Sequence, residues 1–478
     1  MLSSGTALAA DTFNVKKLSW AVGPLLMLVA WPAQGAEVTR VVSAMDGNNR
    51  FDFNLTATWV HEVKSAFVKR ELQSNLAPDT EIIKDLQFAQ TRDILNLRAD
   101  VGILWDVGLH IDLPLVLSDA SSLDFDRSES NCIYPENMSV RPTCVDVSNS
   151  TLLRDGILPG YQTDSWGLDA EHNRQYSRDP GTFPGPSNVF KGPSRKGFEY
   201  LGVGITWAPF NQNRDDTKPT WTLNFNANLD VFKDKRFDPG APTANNAVGL
   251  GYHQFIWSTF VDKRFRWFDP YFGAWYMLPA RTNGSPFQKY GPTQTSVNAQ
   301  QQAGVMAGVE QIAWENPRGD QRVTVEARAH LEQHFFGRER SEIWEPLSGD
   351  SRCGVNAQAN CRAGIDLDTN ADGVIDTPHP GITDIESYGT IGGDVGLNVQ
   401  VGRFIRFRGL FGLKSDMPHM ITAAGAGVDS DPKDGRVDPT NPAEANPAYR
   451  QAIDLPGRRF RVEGSKIWTL FLQGSMMF

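Results

Sequence analysis

From about residue 50 to the last residue, apolar and polar side chains alternate in runs of about ten positions. The clearest run, from Trp221 to Val231, has Leu, Phe and Ala on one face and Asn224, Asn226 and Asn228 on the other. About twelve such runs follow one another along the chain. Successive side chains of a strand point to opposite faces, so each run predicts a strand with one apolar and one polar face.

The connections between these runs alternate between short and long. Short ones follow the even-numbered runs, and long ones follow the odd-numbered runs. The long connections cover about residues 62–92, 118–196, 232–248, 279–301, 337–386 and 415–464. This alternation is typical of a membrane barrel with short periplasmic turns and long outer loops. We therefore predict an all-β fold, a transmembrane antiparallel up-and-down β-barrel of about twelve strands.

Tryptophans lie at or near the short-turn ends of the predicted strands. They are Trp105, Trp207, Trp221, Trp267 and Trp314. Aromatic side chains concentrate where a barrel meets the membrane interface, so these five predict an aromatic girdle at the inner side.

The N-terminal segment has a different pattern from the rest. Lys16 and Lys17 precede an apolar stretch from Leu18 to Trp31, and small residues follow at 33–36. This stretch is too short to cross a bilayer as a helix and fits a secretory signal peptide. We interpret residues 1–36 as a signal peptide with an N-terminal extension, cleaved after Gly35 or Ala36, and 37–478 as the barrel. An uncleaved anchor is the alternative.

Whole-chain composition agrees with a barrel and argues against other classes. The mean hydropathy is −0.37, too low for a bundle of membrane helices, whereas in a barrel only alternate strand residues face lipid. The formal net charge of −10 argues against nucleic acid as a partner.

The last strand, from Lys466 to Phe478, resembles the final strand of Gram-negative outer-membrane proteins of the porin-like superfamily. Alternate apolar residues end on the terminal Phe478. The resemblance departs at Gly474 and Met476, where larger apolar and aromatic residues are usual. It covers the topology of about residues 50–478 and implies location in the bacterial outer membrane. It also implies contact with lipid and lipopolysaccharide, and recognition of Phe478 by the barrel-insertion machinery.

Two features of the predicted outer loops suggest bracing. An acidic stretch resembles the start of calcium loops of the EF-hand and dockerin kind, with hard oxygen ligands at alternate positions and Gly373 at the turn. Its candidate ligands for Ca²⁺ are Asp366, Asp368, Asn370, Asp372, Val374 and Asp376. The usual twelfth-position Glu is replaced by His379.

The four cysteines form two close pairs, so in an oxidising compartment Cys132–Cys144 and Cys353–Cys361 are the natural disulfides, with other pairings left open.

Charged side chains occupy the polar faces of several predicted strands. We expect them to line the barrel interior: Arg98, Asp100, His110, Asp112, Asp230, Glu326, Arg328, Asp394, Arg406 and Arg408. His330 and His334 lie four residues apart on a strand, roughly 13 Å, too far for one ion. A charged lumen suits a channel for small polar solutes or ions. The alternative is a closed barrel that displays its loops for adhesion or assembly. The chain lacks recognisable hydrolase motifs, so we expect no enzymatic activity.

Overall fold

Twelve antiparallel strands close into a ring in the computed structural model of this protein. The structure describes residues 36–43, 52–73, 80–125, 190–237, 245–316, 321–350, 367, 377, 379–402, 404–430 and 434–478. The ring strands, named β1 to β12 in chain order, are Phe53–Gln73, Thr80–Leu104, Val107–Phe125, Leu201–Phe210, Thr220–Leu229, Tyr252–Asp262, Phe268–Arg281, Gln302–Glu315, Arg322–His334, Tyr388–Val401, Ile405–Asp416 and Phe460–Met477. The predicted barrel of about twelve strands is confirmed.

Each strand pairs with its neighbour in the sequence, and the first strand pairs with the last. The closing register runs from Asn54 opposite Met477 to Arg70 opposite Phe460. Closure leaves no unpaired edge along the membrane-spanning part of the ring, as a barrel in lipid requires.

The outward face carries an apolar belt. Leu97, Ile111, Phe272, Val395 and Leu413 alternate with inward polar residues, and each is 43–58% exposed. Trp105, Trp207, Trp267 and Trp314 are also about half exposed, at the short-turn end. Large exposed apolar side chains all around one ring would be unfavourable in water. The belt and its tryptophan girdle therefore mark a transmembrane barrel.

Strand pairing extends further outward than the sequence pattern indicated. The β1–β2 hairpin stays paired up to Gln73 opposite Thr80, so most of residues 62–92 is strand. Strand β3 likewise continues to Phe125, inside the stretch 118–196, and pairs there with two short strands, Phe190–Lys191 and Arg195–Phe198. The barrel wall thus rises beyond the membrane on this side.

The outer end also contains folded connections. Short strands Gly337–Arg340 and Ile382–Ile385 pair with each other, and His419–Met420 pairs with β12. A short helix, α1, spans Trp344–Asp350. At the opposite end a single 3-10 turn spans Glu37–Thr39. In the described part of the chain, no helix is long and apolar enough to cross a bilayer.

Candidate functional site: the barrel interior

The inner wall of the barrel holds the charged residues that the alternation assigned to it. Strands β9, β10 and β11 bring one group together around Glu326, which is 1% exposed. Arg408 donates to both carboxylate oxygens of Glu326, with Nη2 2.7 Å from each. Tyr271 donates its hydroxyl to the same carboxylate at 2.6 Å. The buried charge is therefore compensated by a bidentate ion pair and a further hydrogen bond.

A second group lies one layer further out on the same strands. Arg328 donates through Nε to Asp394 at 2.6 Å, and His330 Nδ1 lies 3.3 Å from the same carboxylate. Gly392 faces the imidazole of His330 so closely that a Cβ there would be 2.2 Å from Nε2. A side chain at this position would displace the ring, so the glycine makes room for the inward histidine.

A third group lies on β2 and β3. Arg98 donates to Asp100 at 2.7 Å, and its Nη1 lies 3.6 Å from Asp112. His110 contacts Asn226 through Nε2 at 3.2 Å and lies 3.6 Å from Asp112. Opposite charges face each other across this wall, so the interior here has mixed sign.

The remaining predicted interior residues lie near the two ends. Asp230 follows β5 at the outer rim, where Thr282 donates to its Oδ2 at 3.3 Å. At the inner mouth Arg406 forms an ion pair with Glu37. His334 stacks on Tyr388 with ring centroids 4.3 Å apart, and His330 points to Asp394. The two histidines thus have different partners.

Several inward polar atoms have no hydrogen-bond partner among the described residues. They include Asn96 Oδ1, His110 Nδ1, Thr324 Oγ1, His330 Nε2, Asn398 Oδ1 and Gln400 Oε1. A buried polar atom left without a partner costs on the order of 1–3 kcal/mol. Their number favours a hydrated interior, because water would supply the missing partners.

The inner mouth is crossed by residues 36–43, which we name the N-terminal strap. Ala36 contacts β6, Glu37 contacts β8, and Ser43 lies against the β2–β3 hairpin. A Cβ at Gly102 would come within 2.0 Å of the Ser43 carbonyl oxygen, so only glycine lets the strap pass. Burial opposes ionisation of Glu37, yet Arg406 and Arg40 lower its pKa to about 2. The strap is held mainly by charged and polar contacts.

The outer end is filled by an apolar cluster that we name the outer cap. Inward side chains of the extended strands meet helix α1 and nearby loops. The cap contains Ala66, Val68, Leu86, Phe88, Leu123, Phe125, Phe190, Phe237, Ile343, Trp344, Leu347, Ile385, Ile421, Ile453, Phe460 and Val462. The interior is therefore apolar above the membrane zone and polar within it.

Ion pairs anchor the cap to the wall. Arg195, 1% exposed, donates to Glu345 Oε1 through Nε at 3.1 Å and Nη2 at 2.8 Å. Lys64 lies 2.9 Å from Glu342 and 3.3 Å from Asp416. The loop that carries α1 is thereby tied to the strand Arg195–Phe198 through Glu345 and to β1 through Glu342.

The alternation did not reveal the strap, the cap or the Arg195–Glu345 pair. The strap precedes the first apolar run, and the cap residues belong to stretches where the apolar face points inward. The predicted calcium ligands and all four cysteines lie outside the described residues. Among those that are described, no group of three or more His, Cys, Asp and Glu residues is placed to hold a metal ion.

No family model matches the chain, and no curated protein matches it. Similar solved structures include an outer-membrane channel from Pseudomonas putida F1, with 9% identity, coverage of 88% of this chain and 95% of that one, and a TM-score of 0.35. A Pseudomonas aeruginosa FadL homologue has 8% identity, coverage of 89% and 90%, and a TM-score of 0.28. The Escherichia coli outer-membrane protease OmpT has 7% identity, coverage of 89% and 97%, and a TM-score of 0.22.

The identities and TM-scores of these matches are too low to bear on function. The matched proteins include both a channel and a protease. Classification of the chain rests on its own architecture, namely the closed ring, the apolar belt and the tryptophan girdle. By these features the chain is a transmembrane β-barrel, as its sequence predicts.

Proposed function

We propose that this protein is a non-enzymatic outer-membrane channel for small polar or charged solutes. The observation that carries the proposal is the polar, charged inner wall of the membrane zone, with its buried polar atoms that lack protein partners. A barrel that only displayed loops would be more stable with an apolar, tightly packed interior. A hydrated wall of mixed charge instead suits passage of polar solutes.

The conformation described above is obstructed at both ends. The strap crosses the inner mouth, and the cap fills the outer end. Passage of a solute through the barrel therefore requires that both obstructions leave a path or move aside. The strap is the more mobile candidate because its contacts are few and polar, so we propose a gated channel.

The sequence supports further parts of this proposal. A cleaved signal peptide would export the chain, and Phe478 would address it to the insertion machinery. Lipid and lipopolysaccharide would surround the belt. Calcium at residues 366–376 and the disulfides Cys132–Cys144 and Cys353–Cys361 would brace the outer loops. Intact mass with and without reductant, and calcium titration, test the bracing directly.

A closed scaffold for adhesion or assembly is the second candidate. The outer cap favours it, because an apolar core built from several loops presents a rigid surface. A scaffold requires no conductance and no selectivity.

Single-channel current of the refolded mature protein in a planar bilayer separates the two candidates. A channel gives discrete steps, and Arg406→Gln shifts its selectivity toward cations because one positive charge leaves the inner mouth. Removing Arg408 alone would leave the buried carboxylate of Glu326 without its ion-pair partner, so Arg408→Gln is combined with Glu326→Gln. The control is Arg436→Gln, an exposed outer-loop residue. A folded, inserted barrel that stays silent in every bilayer would contradict the channel.

A further inference from the structure

Three carboxylates lie together on the inner wall next to the N-terminal strap. Asp262 ends β6, Asp269 lies at the start of β7, and Glu310 lies on β8 directly opposite Asp269 in the strand register. Their side chains are buried, with exposures of 1%, 3% and 2%. The carboxyl groups of Asp262 and Asp269 are close enough to repel each other when both are ionised. Three acidic groups are thus held at one level of three neighbouring strands.

Arginines act on two of the three carboxylates: Arg264 attracts Asp269, and Arg322 and Arg408 attract Glu310. The ion pairs of the region involve other acids: Arg264 pairs with Glu315, and Arg406 pairs with Glu37. One oxygen of Asp262 and one of Asp269 are buried without a hydrogen-bond partner. Buried carboxylates in contact with one another are costly to ionise unless a positive group joins them. The cluster therefore has the chemistry of a binding site for a cationic nitrogen.

The strap already presents nitrogen atoms to this cluster. The backbone N of Ala36 donates to Asp262 Oδ2 at 3.0 Å, and the backbone N of Glu37 donates to Glu310 Oε1 at 2.8 Å. Ala36 itself is 1% exposed. An amide nitrogen offers one proton, whereas an ammonium offers three and a positive charge. An ammonium in place of the Ala36 amide would add two donors and a positive charge beside Asp262.

We infer that export processing cuts the peptide bond between Gly35 and Ala36, and that the new α-ammonium of Ala36 binds the carboxylates of Asp262 and Asp269. In the cut, water adds to the Gly35 carbonyl and the C–N bond breaks. Gly35 leaves with a carboxylate, and Ala36 keeps the nitrogen as an ammonium. Cleavage one residue later would instead place the ammonium on Glu37, whose nitrogen contacts Glu310 and not Asp262. The ammonium anchors the first residue of the strap to the barrel wall, and this inference does not depend on whether the barrel conducts.

The test is the reactivity of the mature α-amine in the folded protein. Intact mass and N-terminal sequencing first establish whether the exported chain begins at Ala36. Amine acetylation at pH 7.5 is then followed by peptide mass spectrometry, with Lys218 as internal reference because its side chain is 52% exposed. A free α-amine, with a pKa near 8, reacts faster than a lysine under these conditions. We expect the Ala36 amine to react at least about tenfold more slowly than in the urea-unfolded chain, and more slowly than Lys218.

Variants identify the cause of the protection. Asp262→Asn combined with Asp269→Asn is expected to restore acetylation of Ala36, whereas Asp216→Asn, which changes an exposed acid at the same end of the barrel, is expected to leave it unchanged. If the double variant does not fold, a refolded chain that retains Gly35 serves instead, because the extra residue moves the amine off the cluster. A mature chain that begins at another residue would overturn the inference, as would an Ala36 amine as reactive as a free one.

Discussion

The two ends of the barrel are closed by different physical means. The outer cap is an apolar core of sixteen buried side chains, supported by ion pairs that are themselves buried. The inner strap is a single segment held by hydrogen bonds and charges. Burial of apolar surface does not depend on charge, whereas ion pairs at a hydrated mouth are screened by salt. The outer end is therefore expected to keep its structure as the salt concentration rises, and the inner end to loosen.

The largest effect is expected from the buried ion pair of the cap. Glu345→Ala leaves the guanidinium of Arg195 buried without its carboxylate, which costs on the order of 3–5 kcal/mol. Hydrogen exchange at the amides of residues 343–348 measures the loss of cap stability. The matched control is Asp215→Ala, which removes an exposed pair with Lys218 and should leave exchange unchanged. Unchanged exchange in Glu345→Ala would mean that apolar packing alone holds the cap.

A pH dependence of the cap is expected next. Burial raises the pKa of Asp454 to about 7, although the amides of Arg450 and Ala424 donate to it. Burial also raises the pKa of Asp384 to about 6. A carboxyl group whose pKa is higher in the folded than in the unfolded protein contributes stability that is complete below the unfolded pKa, near 4. This contribution is lost as the pH rises through the folded pKa values of about 6 and 7.

Hydrogen exchange around residues 421–456 should therefore be slower at pH 5 than at pH 8, after correction for intrinsic rates. The difference is roughly 2–4 kcal/mol for Asp454, and Asp454→Asn should remove most of it. Slower exchange at pH 8 than at pH 5 would contradict this assignment.

The smallest effect on stability is expected at the strap. Glu37→Gln removes the ion pair with Arg406 and costs roughly 1–2 kcal/mol, so amide exchange of residues 37–43 should rise about tenfold. Because the pKa of Glu37 is lowered to about 2, the pair's contribution to stability should be complete above about pH 4 and lost as the pH falls toward 2. Glu463→Gln breaks a pair with Lys69 at the outer end and is the control. Equal exchange in both variants would show that the strap does not depend on this pair.

Strand number, strand order and the inward charges followed from the sequence because lipid imposes a strict alternation. Within the membrane zone every outward residue, such as Leu97 or Val395, must be apolar, and residues such as Arg98 and Asp394 must then face inward. Above that zone the same alternation persists with the opposite sense, since Leu86 and Phe88 face the cap. A prediction that looks for outward-facing apolar residues therefore assigns this part of β1 and β2 to a loop.

The contacts within the interior could not be predicted in the same way. Glu326 meets Arg408 only because β9, β10 and β11 are paired in one register, which relates residues 82 positions apart. The cluster of Asp262, Asp269 and Glu310 depends on register as well. The strap carries no periodic pattern, because a segment of eight residues that crosses a polar mouth needs no apolar face.

Closure of the ring between β1 and β12 has a consequence for how the protein assembles. The register of Asn54 with Met477 joins strands from opposite ends of the barrel sequence, so this pairing has the largest sequence separation in the ring. Loop-closure entropy and high contact order make such a step slow. Hairpins such as β1–β2 or β8–β9 form from local contacts, whereas the seam requires the complete chain. A chain that stops short of β12 is therefore left with two open edges and a polar interior exposed to lipid.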